Sequence, residues 1–301
     1  MRTIWKRATY VAVITGGIAV AAVSCTDTAT SPRKSDANHT VKPATNGKVN
    51  ELRAKYGWPG DYHTRALEYA FSQLTKQNAG SLSPAAKCRL AEAALRDFNK
   101  AYRKDGQPMP FADVSFVGTA CNRGAKQQIV ESSGLPGVLR KNEISADASA
   151  LLAQVDAAVD NNESVESIRS AIYAIQGTAA FNLQELEAGA VISAGEVAIS
   201  SVDYWDAHQD EWQSGGIGGN NDGPITYARN GYPTVPSKIV VGASGTEVRL
   251  GLSQRERRII KADIGAFIGT IVYEWFSGPV GWSNAAWRAA AASLAAGILP
   301  Y

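Results

Sequence analysis

Residues 182–205 read NLQELEAGAVISAGEVAISSVDYW, and this stretch keeps one helical period from end to end. Apolar or small side chains recur every three or four positions, which is the spacing of one buried helix face. They are Leu183, Leu186, Ala190, Ala194, Val197 and Trp205. Asn182, followed three positions later by Glu185, has the form of an N-cap pair. The stretch therefore predicts a long helix from Asn182 to about Trp205.

Four segments that precede this stretch show the same period. Helices are predicted over 61–77, from Ser83 through the Cys88 segment, over 146–159 and over 163–176. Asp61 and Ser83 are the predicted N-caps of the first two, and Pro84 suits the first position of a helix. Residues 105–140 hold Gly and Pro at short intervals, which predicts a loop with a short strand at Val114–Val117.

The C-terminal part combines a glycine-rich break, a hairpin and two helices. Residues 214–236 hold six glycines and three prolines, which predicts a long surface loop. The stretch KIVVGASGTEVRL, residues 238–250, predicts a β-hairpin that turns at 242–245. Ser253-x-x-Glu256 is a capping-box pattern that opens a helix to about Phe276. Ser283 is the predicted cap of a last helix that runs through Ala296.

These patterns predict a mainly α protein, with a helical bundle-like domain, a small β-hairpin and a C-terminal Gly/Ala-rich helix pair. The 301 residues, 45% hydrophobic and 19% charged, are enough for a sizeable core. The predicted organisation is a signal peptide over 1–24, a flexible tether over 25–48, a helical domain over 49–213, the Gly/Pro-rich loop over 214–236, and the hairpin and helix pair over 237–301, packed on the helical domain.

The first 24 residues have the layout of an export signal. Arg2, Lys6 and Arg7 form a basic start, and the 16 residues Ala8–Val23 carry no charge. A permanent transmembrane helix needs about 20 mostly apolar residues, so export is the better interpretation. Without residues 1–24 the chain keeps 27 basic and 28 acidic side chains. The basic excess therefore belongs to the signal, and no nucleic-acid partner is predicted.

The end of the signal, Ala22-Val23-Ser24-Cys25, resembles the lipobox of bacterial lipoprotein precursors. The resemblance implies that Cys25 becomes the first mature residue, with a diacylglycerol on its sulfur and usually a third acyl chain on its amine. Thr26–Lys48 contain no aromatic side chain and resemble a flexible tether between a bilayer and a domain. The alternative is plain secretion, because Ala22-x-Ser24 also suits an ordinary signal peptidase.

The three cysteines are consistent with one lipid attachment and one disulfide. An exported chain with three thiols would leave one unpaired, and lipid on Cys25 leaves Cys88 and Cys121 as a pair. Their bridge would close a loop of about 34 residues, worth roughly 3–4 kcal/mol. The alternative is a reactive Cys88 thiol whose pKa is lowered by Lys87 and Arg89.

The stretch DYWDAHQDEW, residues 203–212, is the strongest local candidate for a site. Asp203, Asp206 and Asp210 share a helix face, His208 lies beside them, and aromatic side chains interleave. Acidic residues at the C-terminal end of a helix oppose the macrodipole, and such a local conflict can mark a site. The hypotheses are a solvated helix end with Trp205 in the core, a Ca²⁺ or other hard-cation site, and exposed aromatic rings that stack on a sugar or peptide.

The C-terminal helix pair has a second interpretation, as a membrane-inserting hairpin. Gly265 and Gly269 are four residues apart, the last helix is rich in alanine, and basic residues precede the apolar stretch. The clean apolar run Ile264–Tyr273 is far too short to span a bilayer. A tightly packed soluble pair is therefore the preferred interpretation.

No motif identifies an enzyme. The chain lacks G-x-S-x-G, H-E-x-x-H and a phosphate-binding loop, and only His63 and His208 could serve as a base in the folded part. The leading prediction is a cell-envelope lipoprotein, anchored to the bilayer on the exported side, that binds or scaffolds a protein or glycan. The alternatives are an exported enzyme or ligand-binding protein that uses residues 203–212, and a membrane-active protein.

Overall fold

The computed structural model describes residues 44–111, 144–162, 164–218, 239–241, 247–249, 251–274 and 279–299. These residues are mainly helical, as the periodic patterns predicted. The predicted signal, Cys25, Cys121, the Val114–Val117 strand and most of the Gly/Pro-rich loop lie outside the described residues. The described elements are α1 (Ala44–Tyr56), α2 (Trp58–Lys76), a 3-10 turn (Ala79–Ser81), α3 (Pro84–Ala101), β1 (Arg103–Lys104), β2 (Gln107–Pro108), α4 (Ala146–Asn161), α5 (Val165–Asn182), α6 (Glu185–Ser214), β3 (Ile239–Val241), β4 (Glu247–Arg249), α7 (Gln254–Tyr273) and α8 (Pro279–Ile298).

The centre of the fold is α8, which is buried on every side. Each residue from Gly281 to Leu299 is buried except Arg288, and the helix packs against α7, α2, α3 and α6. A helix that is apolar on all sides has no polar face to expose to water, so it is buried in the core. Its many alanines let four neighbouring helices approach closely, so that the C-terminal pair α7–α8 is part of the core.

Helix α6 is the second central element and the longest helix described. Its residues from Ala188 to Ala198 are buried apart from Glu196, and it contacts α1, α2, α4, α5, α7 and α8. The predicted long helix is therefore present, but it continues to Ser214, beyond the predicted end at Trp205. Its 30 residues span about 45 Å.

Two predicted N-caps are confirmed. The Ser83 hydroxyl accepts a hydrogen bond from the Ala86 N–H at the start of α3. Ser253 and Glu256 form the reciprocal capping box that opens α7. Two caps that the sequence analysis did not single out, Ser145 and Ser164, begin α4 and α5 in the same way.

Three other predicted caps are wrong. Helix α2 begins at Trp58, so Asp61 lies inside its first turn, where Pro59 already fits the helix. Asn182 ends α5, and α6 begins at Glu185 after the N-cap Gln184. Ser283 lies within α8 and is buried, because that helix begins at Pro279.

The two hairpins are short. β3 pairs antiparallel with β4 in the register Val240↔Val248, which confirms the predicted hairpin. β1 and β2 form a second hairpin in a region predicted to be loop. Asp105 and Gly106 both have positive φ, 52° and 77°, which is the two-residue turn that matches the twist of paired strands.

Helix α1 begins at Ala44, within the segment predicted to be tether. It is held to the core by Arg53, which donates to the Gln176 side chain and forms an ion pair with Glu196. The aromatic ring of Tyr56 lies against Gly189, where any side chain would collide with it. The first described helix therefore begins five residues before residue 49, the predicted start of the helical domain.

Candidate functional site

The aromatic side chains of the 203–212 patch are buried, so the expectation of exposed stacking rings is wrong. Tyr204, Trp205 and Trp212 all belong to the core. The Trp205 indole N–H donates to the Ser293 hydroxyl at 2.9 Å, and the Trp212 indole N–H donates to the Tyr204 hydroxyl at 3.0 Å. Long indole and phenol groups can be buried here because each polar tip has a partner.

The acidic side chains of the patch do not converge on one point. Asp203 is paired with Arg169, whose Nη2 lies 2.6 Å from Oδ1. His208 contacts Glu211 at 2.9 Å, whereas Asp206 and Asp210 are exposed. Across the described residues, no three His, Cys, Asp or Glu side chains form a group that could hold a metal ion. The described geometry gives the predicted Ca²⁺ site no support.

A lysine from another helix binds the backbone just beyond the end of α6. The Lys87 ammonium, on α3, is buried and donates to the backbone carbonyls of Gly216 and Ile217 just beyond that end. Burial lowers the pKa of Lys87. A cation at the C-terminal end of a helix is favoured by the macrodipole, so Lys87 supplies the positive charge that this end of α6 favours.

Cys88 is buried on the inner side of α3 and is disulfide-bonded. This state does not fit the alternative of a reactive free thiol between Lys87 and Arg89. Cys121 lies outside the described residues, so the pairing of Cys88 with Cys121 stays a prediction.

A buried polar cluster, which we call the His63–Asp263 network, joins four of the described helices. The His63 and Asp263 side chains are fully buried, with Nε2 3.2 Å from Oδ2, although the ring N–H is not aimed well enough at that oxygen for a hydrogen bond. The same oxygen accepts hydrogen bonds from the Ser201 and Ser293 hydroxyls, the latter at 2.8 Å. Trp205 donates in turn to Ser293.

The network reaches the half-buried surface through two more hydroxyl groups. The Nδ1 atom of His63 lies 3.1 Å from the Ser200 hydroxyl, and that hydroxyl lies 2.7 Å from the Thr64 hydroxyl. Nδ1 can accept from the Ser200 hydroxyl when the ring proton is on Nε2. Burial is the main cause that raises the pKa of Asp263, against the opposing effects of His63 and the two serines.

Ser200, His63 and Asp263 follow one another in the order of a nucleophile, a base and an acid. Their surroundings favour a structural role. Ser200 lies in the interior of α6, where backbone N–H groups are engaged in the helix and cannot stabilise an oxyanion. Asp263 and His63 have no exposed surface. We therefore assign the network to cross-linking α2, α6, α7 and α8.

The sequence contains a signal for this network in two polar residues on apolar helix faces. His63 lies on the same face of α2 as Leu67, Ala70 and Leu74, all of which are buried. Asp263 falls between Ile259 and Phe267 at the same spacing on α7. A histidine and an aspartate, each on an otherwise apolar helix face, indicate two buried groups that need partners.

Comparison of the chain with models of protein families, with curated proteins and with solved structures finds no match. In the described part of the chain, no helix is both long enough and apolar enough to cross a membrane.

Proposed function

We propose that this protein is a cell-envelope lipoprotein, held to a bilayer on the exported side by acyl chains on Cys25, whose helical domain binds or scaffolds a partner. The observation that carries the proposal is Ala22-Val23-Ser24-Cys25 at the end of a charge-free run. Each buried methylene contributes about 0.8 kcal/mol, and stable anchoring needs more than one chain, which a diacylglycerol provides.

The position of α1 is consistent with such an anchor. Between Cys25 and Ala44 lie 18 residues, Thr26–Pro43, which as a coil would separate the domain from the bilayer by about 25 Å. Helix α1 is hydrogen-bonded to α5 through Arg53 and to α6 through Tyr56. The tether would therefore join the domain at a helix that is fixed to the core.

A binding or scaffolding role fits the described chemistry better than catalysis does. The acidic side chains of residues 203–212 are dispersed or paired, and the Ser200 hydroxyl lies in a helix without free backbone donors. The apolar faces of α7 and α8 are packed within the bundle. Insertion of this pair into a membrane would therefore require most of the core to open.

The test is the intact mass of the mature product from a bacterial host, with detergent-phase partition alongside. The expected product begins at Cys25, carries acyl chains and enters the detergent phase. Cys25→Ser should abolish both results, whereas the neighbouring control Thr26→Ala should keep them. A wild-type product with an unmodified Cys25 thiol, or one that washes from membranes without detergent, would refute the anchor.

A further inference from the structure

We propose that ionisation of Asp263 opens the contact between α2 and α6 at His63 to water, while helices farther from this contact, such as α5, stay packed. This contact would then be a pH-sensitive element of the fold, in which one buried carboxylic acid controls how firmly α2 is held. The device belongs to the His63–Asp263 network and does not depend on the lipid anchor.

Asp263 has too few hydrogen-bond donors around it for its ionised form. An ionised carboxylate can accept about four hydrogen bonds, which its two oxygens share. Oδ2 accepts from the Ser201 and Ser293 hydroxyls, whereas Oδ1 has no partner among the described residues. The side chain has no exposed surface, and its burial raises the pKa of Asp263. Loss of the proton therefore favours any opening that brings a donor to Oδ1.

The titratable and charged groups of α2 and α8 do not supply this donor. From α2, His63 faces Asp263, and its Nε2 atom lies 3.2 Å from Oδ2 without forming a hydrogen bond. Helix α7, which carries Asp263, packs against α8, α6 and α4. The one charged residue of α8 is Arg288, whose guanidinium lies 3.5 Å from the Glu274 carboxylate.

Ion pairs on α4 and α6 join acidic side chains to cations other than His63. The pairs are Asp156 and Asp160 with Lys261, Glu196 with Arg53, and Asp203 with Arg169. Lys261 lies about 200° around α7 from Asp263, so its two partners on α4 are on another side of this helix. From α6, the Ser201 hydroxyl binds Asp263. The described residues therefore leave water as the donor for Oδ1.

Two hydroxyl groups mark the side from which water can enter. The Ser200 hydroxyl lies 3.1 Å from Nδ1 of His63 and 2.7 Å from the Thr64 hydroxyl, and both hydroxyl residues are half-buried. The α8 residues from Ala289 to Leu299, by contrast, are all buried. Water that enters beside Thr64 and Ser200 meets His63 next and then Asp263, so a small movement of α2 away from α6 is sufficient.

Two contacts between α2 and α6 limit this opening to the segment between them. At one end, a Cβ atom added to Gly60 would lie 2.7 Å from the Glu196 carbonyl oxygen, so the two helices approach closely through their backbones. At the other end, the centroids of the Phe71 and Trp212 rings are 5.2 Å apart. His63 lies between these contacts. The opening is therefore expected over residues 62–70 and not along the whole of α2.

Hydrogen–deuterium exchange of the full mature chain, followed by mass spectrometry from about pH 4 to about pH 8, is the experiment. Division of each rate by the intrinsic rate at the same pH gives the protection of each peptide. Protection over residues 62–70 should fall as the pH rises, by up to about tenfold per pH unit while folded Asp263 still holds its proton. Peptides from α5, residues 165–182, should keep their protection, because this opening is local.

Asp263→Asn is the matching variant, because its amide keeps an acceptor for the two serines and cannot ionise. It should hold the protection of residues 62–70 constant with pH, whereas Asp210→Asn, at an exposed carboxylate, should behave as wild type. A loss of protection that persists in Asp263→Asn overturns the proposal. So does a wild-type protection of residues 62–70 that is independent of pH or falls equally in α5, and this result needs no variant.

Discussion

At the scale of single residues, the buried polar groups decide how the helices are joined. Asp263 accepts hydrogen bonds from Ser201 and Ser293 through one carboxylate oxygen, while Oδ1 has no partner among the described residues. A buried carboxylate with an unsatisfied oxygen is costly to ionise, and this cost is why burial raises its pKa. The network therefore specifies which helices meet. When Asp263 is charged, it lowers the free energy of unfolding.

The raised pKa of Asp263 predicts how stability depends on pH. In the unfolded chain the pKa is about 3.9, so the folded protein holds this proton more tightly. Protonation of Asp263 therefore contributes fully to the free energy of unfolding below about pH 3.9. This contribution is lost as the pH rises through the folded pKa, by up to about 1.4 kcal/mol per pH unit. Urea unfolding of wild type and Asp263→Asn across this range measures the difference.

Asp210→Asn, at an exposed carboxylate, is the control for that measurement and should leave the wild-type profile unchanged. His63 lies next to Asp263 in the network, so His63→Asn shows how far the profile of Asp263 depends on this neighbour. If wild type and Asp263→Asn had parallel profiles, titration of Asp263 would not be coupled to folding.

At the scale of elements, two glycines of the helix pair α7–α8 differ in how closely they pack, and their spacing in the sequence does not reveal this difference. Gly269, in the four-residue glycine spacing of α7, has open space where a Cβ would be. It does not mark a close helix approach, contrary to the interpretation of that spacing. Gly297, near the end of α8, lies against the Trp205 ring, and a Cβ there would be 2.5 Å from Cη2. Gly297 therefore permits a close approach between α8 and α6.

This contrast predicts opposite effects of one substitution at two positions. Gly297→Ala should lower the free energy of unfolding by about 1–3 kcal/mol, because the added methyl group overpacks the Trp205 contact. Gly269→Ala should be neutral or stabilising by up to about 1 kcal/mol, since alanine favours a helix and meets no obstacle. Thermal or urea unfolding of both variants provides the comparison. Equal effects of the two substitutions would contradict the packing of α8 on α6.

At the scale of the whole molecule, a bridge to Cys88 would fasten α3 and a long connection to the bundle. α3 packs on α2 and α8, and its Lys87 side chain holds the segment that follows α6. A cross-link at the adjacent Cys88 limits the freedom of the unfolded chain while leaving the native packing in place.

The disulfide prediction is tested by reduction. Reducing agent should lower the free energy of unfolding by roughly 3–4 kcal/mol, the value expected for a closed loop of about 34 residues. Non-reduced peptide mapping should recover Cys88 joined to Cys121. The variant Cys88→Ala with Cys121→Ala should match the reduced protein and no longer respond to reductant. Cys88 joined to any other partner would refute this pairing.

The periodic patterns were sufficient for the class of fold and for most helices, because apolar spacing on a helix is a local property. They were insufficient for boundaries such as Trp58 and Glu185, because several neighbouring residues can cap or continue a helix. For residues 203–212, the hypothesis of a solvated helix end with Trp205 in the core agrees with the structure, in which Trp205 is buried and Asp206 and Asp210 are exposed. The partner of Asp203 is Arg169, which is distant in sequence and left no local pattern.

The sequence by itself determined that this chain forms helices with apolar faces, where Ser83 and Ser253 begin two of them, and that Ala22–Cys25 has a lipobox-like pattern. Those features depend on residues within a few positions of one another. Only the tertiary structure decided that α8 is the central helix, that His63 meets Asp263, and that Phe181 and Leu186 stay exposed. These outcomes depend on which helix faces meet, and contacts between residues up to 200 positions apart leave no local period in the sequence.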